Sequence, residues 1–134
     1  MENRKLIVGF TGTQQGMSNS QKEQVRCFLQ NNNVIEFHHG DCLGADSEAH
    51  DIAVELKIPV VIHPPTVWRY RAFKQNNAKI HVCAPYLRRN HDIVDACSVL
   101  LVCSRTSYEI LRSGTWATYR YAIKQKVKTI VYLP

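Results

Sequence analysis

Four short polar stretches carry residue types suited to meeting an anion. They are Thr11-Gly12-Thr13 within TGTQQG, the turn HHGDCLGAD from His38 to Asp46, Arg88-Arg89-Asn90, and Ser113-Gly114-Thr115. In the last of these, two hydroxyls flank a glycine just ahead of a segment whose apolar residues (Trp116, Tyr119, Ala122, Ile123) fall at helical spacing. A helix start presents unpaired N–H groups and the positive end of its dipole, and glycine lets a ligand come close to backbone. Phosphate is the anion that suits such a place best. Ser and Thr are also the preferred helix caps, so the tripeptide fits a plain capping role as well. Arg89 has two readings: a bidentate phosphate ligand, or a partner for Asp92 or Asp95 on its own helix. Asp46 either accepts a ribose hydroxyl or caps its helix. Gly40 and Gly44 bracket Asp41 and Cys42 in a tight turn after a strand. Trp116 stacks on a base if it faces the pocket and belongs to the core otherwise.

Other chemistries find less support. The first loop is not GxGxxG and lacks the lysine of a P-loop, so neither the dinucleotide fingerprint nor the Walker motif applies. His38, His39, Cys42 and His50 match no established zinc spacing, and no metal or cofactor is expected. Cys42 near a histidine lacks an identifiable third group to orient a catalytic pair.

The elements that must position these stretches alternate in type. Lys5–Phe10, Val34–His38, Pro59–His63, Val99–Cys103 and Thr129–Tyr132 are apolar runs of strand length. Between them lie amphipathic helices: one opened by a Ser20/Glu23 capping box and ended by Asn31-Asn32-Asn33, one with Ala49, Ile52, Ala53 and Leu56 inward, and one over Leu87–Ala96. Such alternation predicts an α/β fold, a Rossmann-like three-layer sandwich with a mainly parallel sheet of about five strands. Ligands of these sheets sit at the carboxyl ends of the strands, where all four polar stretches fall. Residues 66–84, with Trp68, Tyr70 and Phe73 among Arg69, Arg71 and Lys74, show no clean period. They are either a flap beside the site or an excursion that covers a sheet edge.

At 134 residues the chain has the length of one domain. Its 45% hydrophobic and 21% charged residues are those of an ordinary globular protein. No segment approaches the roughly 18–20 apolar residues of a membrane span, so no membrane partner is expected. The amino terminus reads as a strand start rather than a signal peptide. Five cysteines at irregular spacing, several within predicted helix or strand, point to a reducing, cytoplasmic setting. A net charge of +6 suits an anionic partner without choosing among nucleotide, nucleic acid and mere solubility.

Three stretches, in order, resemble the SLOG superfamily of Rossmann-like proteins, which includes the DNA-processing protein A family and the LOG-type phosphoribohydrolases. HHGDCLGADSEAH is similar to the glycine-rich turn and helix of the DNA-processing proteins, with Gly44-Ala45-Asp46 and Ala49-His50 at the recurring positions. LRRNHDIVDACSVLLV and RSGTWATYRYA resemble that family's Arg-Asn helix and Ser-Gly helix start. The resemblance runs from GFTGT to the final strand, and makes residues 1–134 a single SLOG/Rossmann-like nucleotide-binding domain.

It implies a pocket for a phosphorylated, nucleotide-derived small molecule of ADP-ribose or cyclic-nucleotide type. Thr11, Gly12, Thr13, Gly40, Asp41, Gly44, Asp46, Arg89, Asn90, Ser113, Gly114 and Thr115 would line it. It also implies homo-oligomers. LOG-type enzymes cleave the N-glycosidic bond of nucleoside monophosphates with an arginine and a glutamate. Arg89 matches the arginine, but Trp116-Ala117-Thr118-Tyr119 stand where the glutamate belongs. A non-catalytic sensor or sequestering protein is therefore expected ahead of a phosphoribohydrolase, for which Glu48 or Glu109 would have to substitute. Single-stranded DNA binding along Trp68–Lys74 is a further alternative.

Overall fold

A computed structural model describes residues 4–74 and 78–134. Its elements are β1 (Lys5–Gly12), α1 (Asn19–Asn31), β2 (Asn33–His39), α2 (Ala45–Glu55), β3 (Val60–Ile62), β4 (Ala78–Ile80), α3 (Tyr86–Ala96), β5 (Val99–Cys103), α4 (Gly114–Lys124) and β6 (Lys128–Tyr132). Among the described residues the strands form one six-stranded sheet in the order β4-β3-β2-β1-β5-β6, with every pairing parallel. The fold is thus the expected Rossmann-like α/β sandwich, with six strands in place of about five.

Burial on both faces explains why the central strands are continuous apolar runs rather than alternating ones. All five residues of β5 are buried. Val25 and Leu29 of α1, with Ala49, Ile52 and Ala53 of α2, pack with Val8, Phe10, Phe37 and Ile62 on one face. On the other, Ile93 and Val94 of α3 and Ala122 of α4 pack with Leu100 and Val102.

Two local expectations change. The capping box of α1 is formed by Ser18 and Gln21, not Ser20 and Glu23: Gln21 N donates to Ser18 Oγ (3.1 Å), and Ser18 N to Gln21 Oε1 (2.9 Å). Gln21 wins because its buried amide also donates to the carbonyls of Ser104 (2.8 Å) and Tyr132 (2.7 Å), past the ends of β5 and at the end of β6. The stretch 66–84 also supplies a strand, the three-residue β4, which extends the sheet edge beside β3. The 66–74 part is tied down from below. Asp41, wholly buried, accepts from Arg71 Nε (2.9 Å), Phe73 N (3.2 Å) and Lys74 N (2.8 Å). Residues 75–77 of the same stretch lie outside the described residues.

The order of strands fixes where a ligand can go. From β1 the chain steps outward through β2, β3 and β4, then crosses back to β5 on the other side of β1. Successive connections therefore leave β1 and β5 in opposite directions, and a crevice opens at their carboxyl ends.

Candidate functional site

A cleft of about 480 Å³ occupies that crevice. The end of β1 and the loop after it form its floor, with Thr11, Gly12, Thr13, Gln14 and Gln15 in the wall. Thr13 N donates to Cys103 O (3.1 Å), and Thr13 O accepts from Ala45 N (2.9 Å), so this loop is fastened to both β5 and α2. The side nearest β2 is built by Gly40, Cys42 and Asp46, and by Tyr86, Arg89 and Asn90 at the start of α3. The opposite side is built by the 105–112 loop and by Ser113, Gly114, Thr115 and Trp116 at the start of α4.

Ten of the twelve candidate residues therefore share one wall. Asp41 and Gly44 are not part of it. Asp41 holds the 66–74 loop. Gly44 caps α2 at φ 82°, and a Cβ there would run into the Thr13 and Gln14 carbonyls. Glycine is needed at that position for close approach of two stretches of backbone.

The side nearest β2 is organised by Arg89, which is only 4% exposed. Its guanidinium donates to the carbonyls of Gly40 and His63 and reaches Cys42 Sγ at 3.7 Å, while Nε donates to Asn90 Oδ1 (2.7 Å). It pairs with neither Asp92 nor Asp95. A Cβ on Gly40 would strike the guanidinium, so that glycine is fixed by the arginine's approach. Asp46 does not cap its helix with its side chain. Its Oδ2 accepts from Gly40 N (3.1 Å) and Cys42 N (3.2 Å). Burial raises its carboxyl to about 6, against the lowering influence of Arg89. Cys42 is pushed up to about 11, chiefly by burial and then by Asp46. It is a protonated thiol near neutrality, which a nucleophile is not.

The α4 side has the opposite character. Ser113 Oγ accepts from Trp116 N (3.3 Å), so the serine is a cap. The amides of Gly114 and Thr115 precede the first intrahelical bond, and among the described residues no group accepts from them. A Cβ at Gly114 would meet nothing within 4 Å. Arg105 and Arg112, which sequence reasoning missed, stand exposed in the same wall and make no ion pair among the described residues. Trp116 is 6% exposed and donates its indole N–H to Thr106 Oγ1 (3.3 Å), so it is a wall of the core rather than a free stacking face.

Neither substitute glutamate is in the cleft. Glu48 accepts from Met17 N (2.7 Å) and pairs with Lys22 (3.1 Å), while Glu109 pairs with Arg120 (2.8 Å). Asp46 is the single carboxylate in the wall among the described residues. No group of three or more His, Cys, Asp or Glu side chains among them is arranged to hold a metal ion. No helix among them is long and apolar enough to cross a membrane.

The histidines lie elsewhere. His38 Nε2 meets Glu36 Oε1 (2.9 Å) and its Nδ1 meets His63 Nε2 (2.8 Å), with the His63 ring stacked on His81 at 4.7 Å between centroids. If His38 donates to the glutamate, His63 must donate to His38, leaving His63 Nδ1 buried without a partner. Burial depresses His63 to about 3, with the neighbouring histidines adding to the effect. His39 Nδ1 accepts from Asp41 N (2.9 Å), and its Nε2 faces His50 Nδ1 (2.9 Å).

The strand order, the helices on both faces and the crevice between β1 and β5 define a Rossmann-like α/β fold. No family model matches the chain, and no curated protein matches it by sequence. Solved structures do match. DNA processing protein A from Streptococcus pneumoniae superposes with a TM-score of 0.71 at 19% identity, over 93% of this chain and 49% of that one. The chain thus spans about half the length of that protein. The molybdenum cofactor binding protein of the phototrophic bacterium Rippkaea orientalis superposes with a TM-score of 0.71 at 16% identity, over 99% and 79% of the two chains. The Moco carrier protein of Chlamydomonas reinhardtii gives 0.67 at 18%, over 98% and 78%. At these identities the likeness is one of fold.

Proposed function

We propose that the chain, acting as one domain, binds a phosphorylated nucleotide-derived small molecule of ADP-ribose or cyclic-nucleotide type and holds it without catalysis, as a sensor or a sequestering protein. One observation carries this reading. Two amides at the start of α4, unengaged among the described residues, open on a cleft that also presents Arg105 and Arg112, which make no ion pair among those residues. Backbone N–H groups, a helix dipole and guanidinium groups are together a receptor for phosphate oxygens. Proteins of this fold named for binding the molybdenum cofactor fit a small-molecule role. Glycosidic hydrolysis is disfavoured because Trp116-Ala117-Thr118-Tyr119 stand where the glutamate of the hydrolases belongs, and Glu48 and Glu109 are not in the cleft wall. Single-stranded DNA binding, named for DNA processing protein A of Helicobacter pylori, draws less support. Arg71 and Lys74 of the aromatic tract are bound to Asp41 and Asp51. Unpaired cysteines fit a cytoplasmic setting. Exposed Tyr108 and Leu111 beside the cleft, and Leu87 at the start of α3, fit self-association.

The test is binding of ADP-ribose and of 3′,5′-cyclic AMP by calorimetry, beside mass spectrometry of small molecules released on denaturing the purified protein. Gly114→Asp adds a carboxylate into open space. The fold should survive, because an acidic residue in a first helical turn is favourable. Affinity should fall by at least about tenfold, the equivalent of one lost charge-assisted contact. Unchanged affinity in a folded variant would overturn the phosphate site. Release of free base from nucleoside monophosphates would replace the binder by the hydrolase.

A further inference from the structure

The β2 side of the cleft contains polar atoms that the protein itself leaves unused. Tyr86, at the first turn of α3, lines the cleft, and its hydroxyl is buried without a hydrogen-bond partner among the described residues. Its ring lies against Arg89, with Cζ 5.1 Å from the centroid. Asp46 presents one oxygen to two backbone amides, and among the described residues its Oδ1 accepts nothing. Asn90 is oriented by its bond from Arg89 Nε, which fixes the oxygen toward the arginine and leaves the NH₂ unengaged among the described residues. An orphaned buried hydroxyl destabilises the fold, so it calls for an explanation.

These atoms suit a particular chemistry. A buried carboxylate repels phosphate, so this side is not a second anion site. A carboxylate oxygen as acceptor, beside a phenol and an amide as donors, matches neutral hydroxyls, each of which donates once and accepts in return. Across the sheet, β2 and β5 are separated by two strand spacings, about 10 Å. The hydroxyl-matching side and the phosphate-matching side are therefore apart along one cleft, in the relation of the two ends of a sugar phosphate.

We propose that Tyr86 and Asp46, helped by Asn90, read the sugar hydroxyls of the ligand, so that the cleft selects ribose-bearing over deoxyribose-bearing phosphates. The proposal rests on the phosphate reading of the α4 side and deepens it. Asp46 accepts from one hydroxyl, and the Tyr86 phenol, whose oxygen is closed off without ligand, turns to donate to that hydroxyl or its neighbour when ligand is present.

Ribose 5-phosphate and 2-deoxyribose 5-phosphate are probes free of any base. Calorimetry on the wild type should show ribose 5-phosphate binding at least about tenfold tighter, the discrimination expected of a site that hydrogen-bonds a hydroxyl. Tyr86→Phe should reduce that preference to within about threefold while leaving the deoxy affinity in place, and Asp46→Asn should reduce it too. Without ligand, Tyr86→Phe should melt no lower than the wild type, because it removes an unsatisfied group. A structural hydroxyl would instead lower the melting temperature. Equal binding of both sugars, with Gly114→Asp abolishing both, would overturn sugar reading and leave the phosphate site standing. Binding of neither would overturn both. A lowered melting temperature in Tyr86→Phe with the preference intact would assign the hydroxyl to the fold alone.

Discussion

Two stretches of the same sheet rim meet opposite fates. At β1 and β5 the strand ends open on a cleft with exposed arginines, unengaged amides and an orphaned phenol. At β2, β3 and β4 the strand ends are closed by the molecule's own side chains, with Glu36, His38, His63 and His81 in one connected row. Both are polar, both follow parallel strands, and both drew attention from sequence. The difference is topological. On the β4 side, consecutive connections run the same way and each segment covers the end of the last. At β1 and β5 they diverge, and a cleft opens between them. Polar residues at strand ends make a site only where the chain turns its back on them.

Arg89 joins the two regions, donating to Gly40 on the open side and to His63 on the closed one. Arg89→Leu should therefore have the largest effect. It orphans two buried carbonyls and should cost about 2–6 kcal/mol in urea unfolding, at about 1–3 kcal/mol for each acceptor left unsatisfied. A loss below about 1 kcal/mol would mean that the two regions are energetically independent.

Acid should separate them next. The folded pKa of His63 is depressed to about 3 from 6.5. The unfolded chain therefore takes up the proton first, and stability that is full above pH 6.5 is lost as pH falls toward 3. Each such histidine contributes a slope of up to about 1.4 kcal/mol per pH unit. His39 acts in the same direction. Asp46, which faces Arg89, Asp41 and Cys42, acts in the opposite one. Its carboxyl is raised from 3.8 to about 6, so the folded chain holds that proton more tightly and regains stability as pH falls from about 6 to 3.8. His63→Gln should flatten the acid branch of a stability–pH curve, and Asp46→Asn should steepen it. Identical curves for the two variants would remove the contrast.

The smallest effect on stability belongs to the open rim. Arg105→Ala and Arg112→Ala should each change unfolding by less than about 0.5 kcal/mol, as exposed substitutions do. They should nevertheless weaken ADP-ribose binding and reduce its dependence on salt. If they destabilise the fold instead, these arginines hold the 105–112 loop rather than face a ligand.

Much of the architecture was legible because buried parallel strands spell themselves as apolar runs. Val99–Cys103 has the same bounds in sequence and structure. β4 was not, because three residues with an outward lysine carry no period. The Ser18–Gln21 cap was missed for Ser20–Glu23, since the choice is made by carbonyls more than 80 residues away, which Gln21 reaches. The stretches that gather at the cleft were visible as turn residues after strands. Their individual tasks were not: Asp41 turns toward a loop thirty residues on, and Arg89 toward two distant carbonyls. Arg105, Arg112 and Tyr86 had no local signal at all. Lone arginines in a loop look solvated, and an aromatic at a helix start looks like core. Only the strand order, with its divergence at β1 and β5, would have singled out the 105–112 loop.

The vacancy beside Gly114 has a practical side. A position in a helix's first turn where an added carbon touches no neighbour will accept a small side chain without repacking. Cysteine placed there and tagged with an environment-sensitive dye would sit at the mouth of the cleft, and its signal would report whether that mouth is open to water.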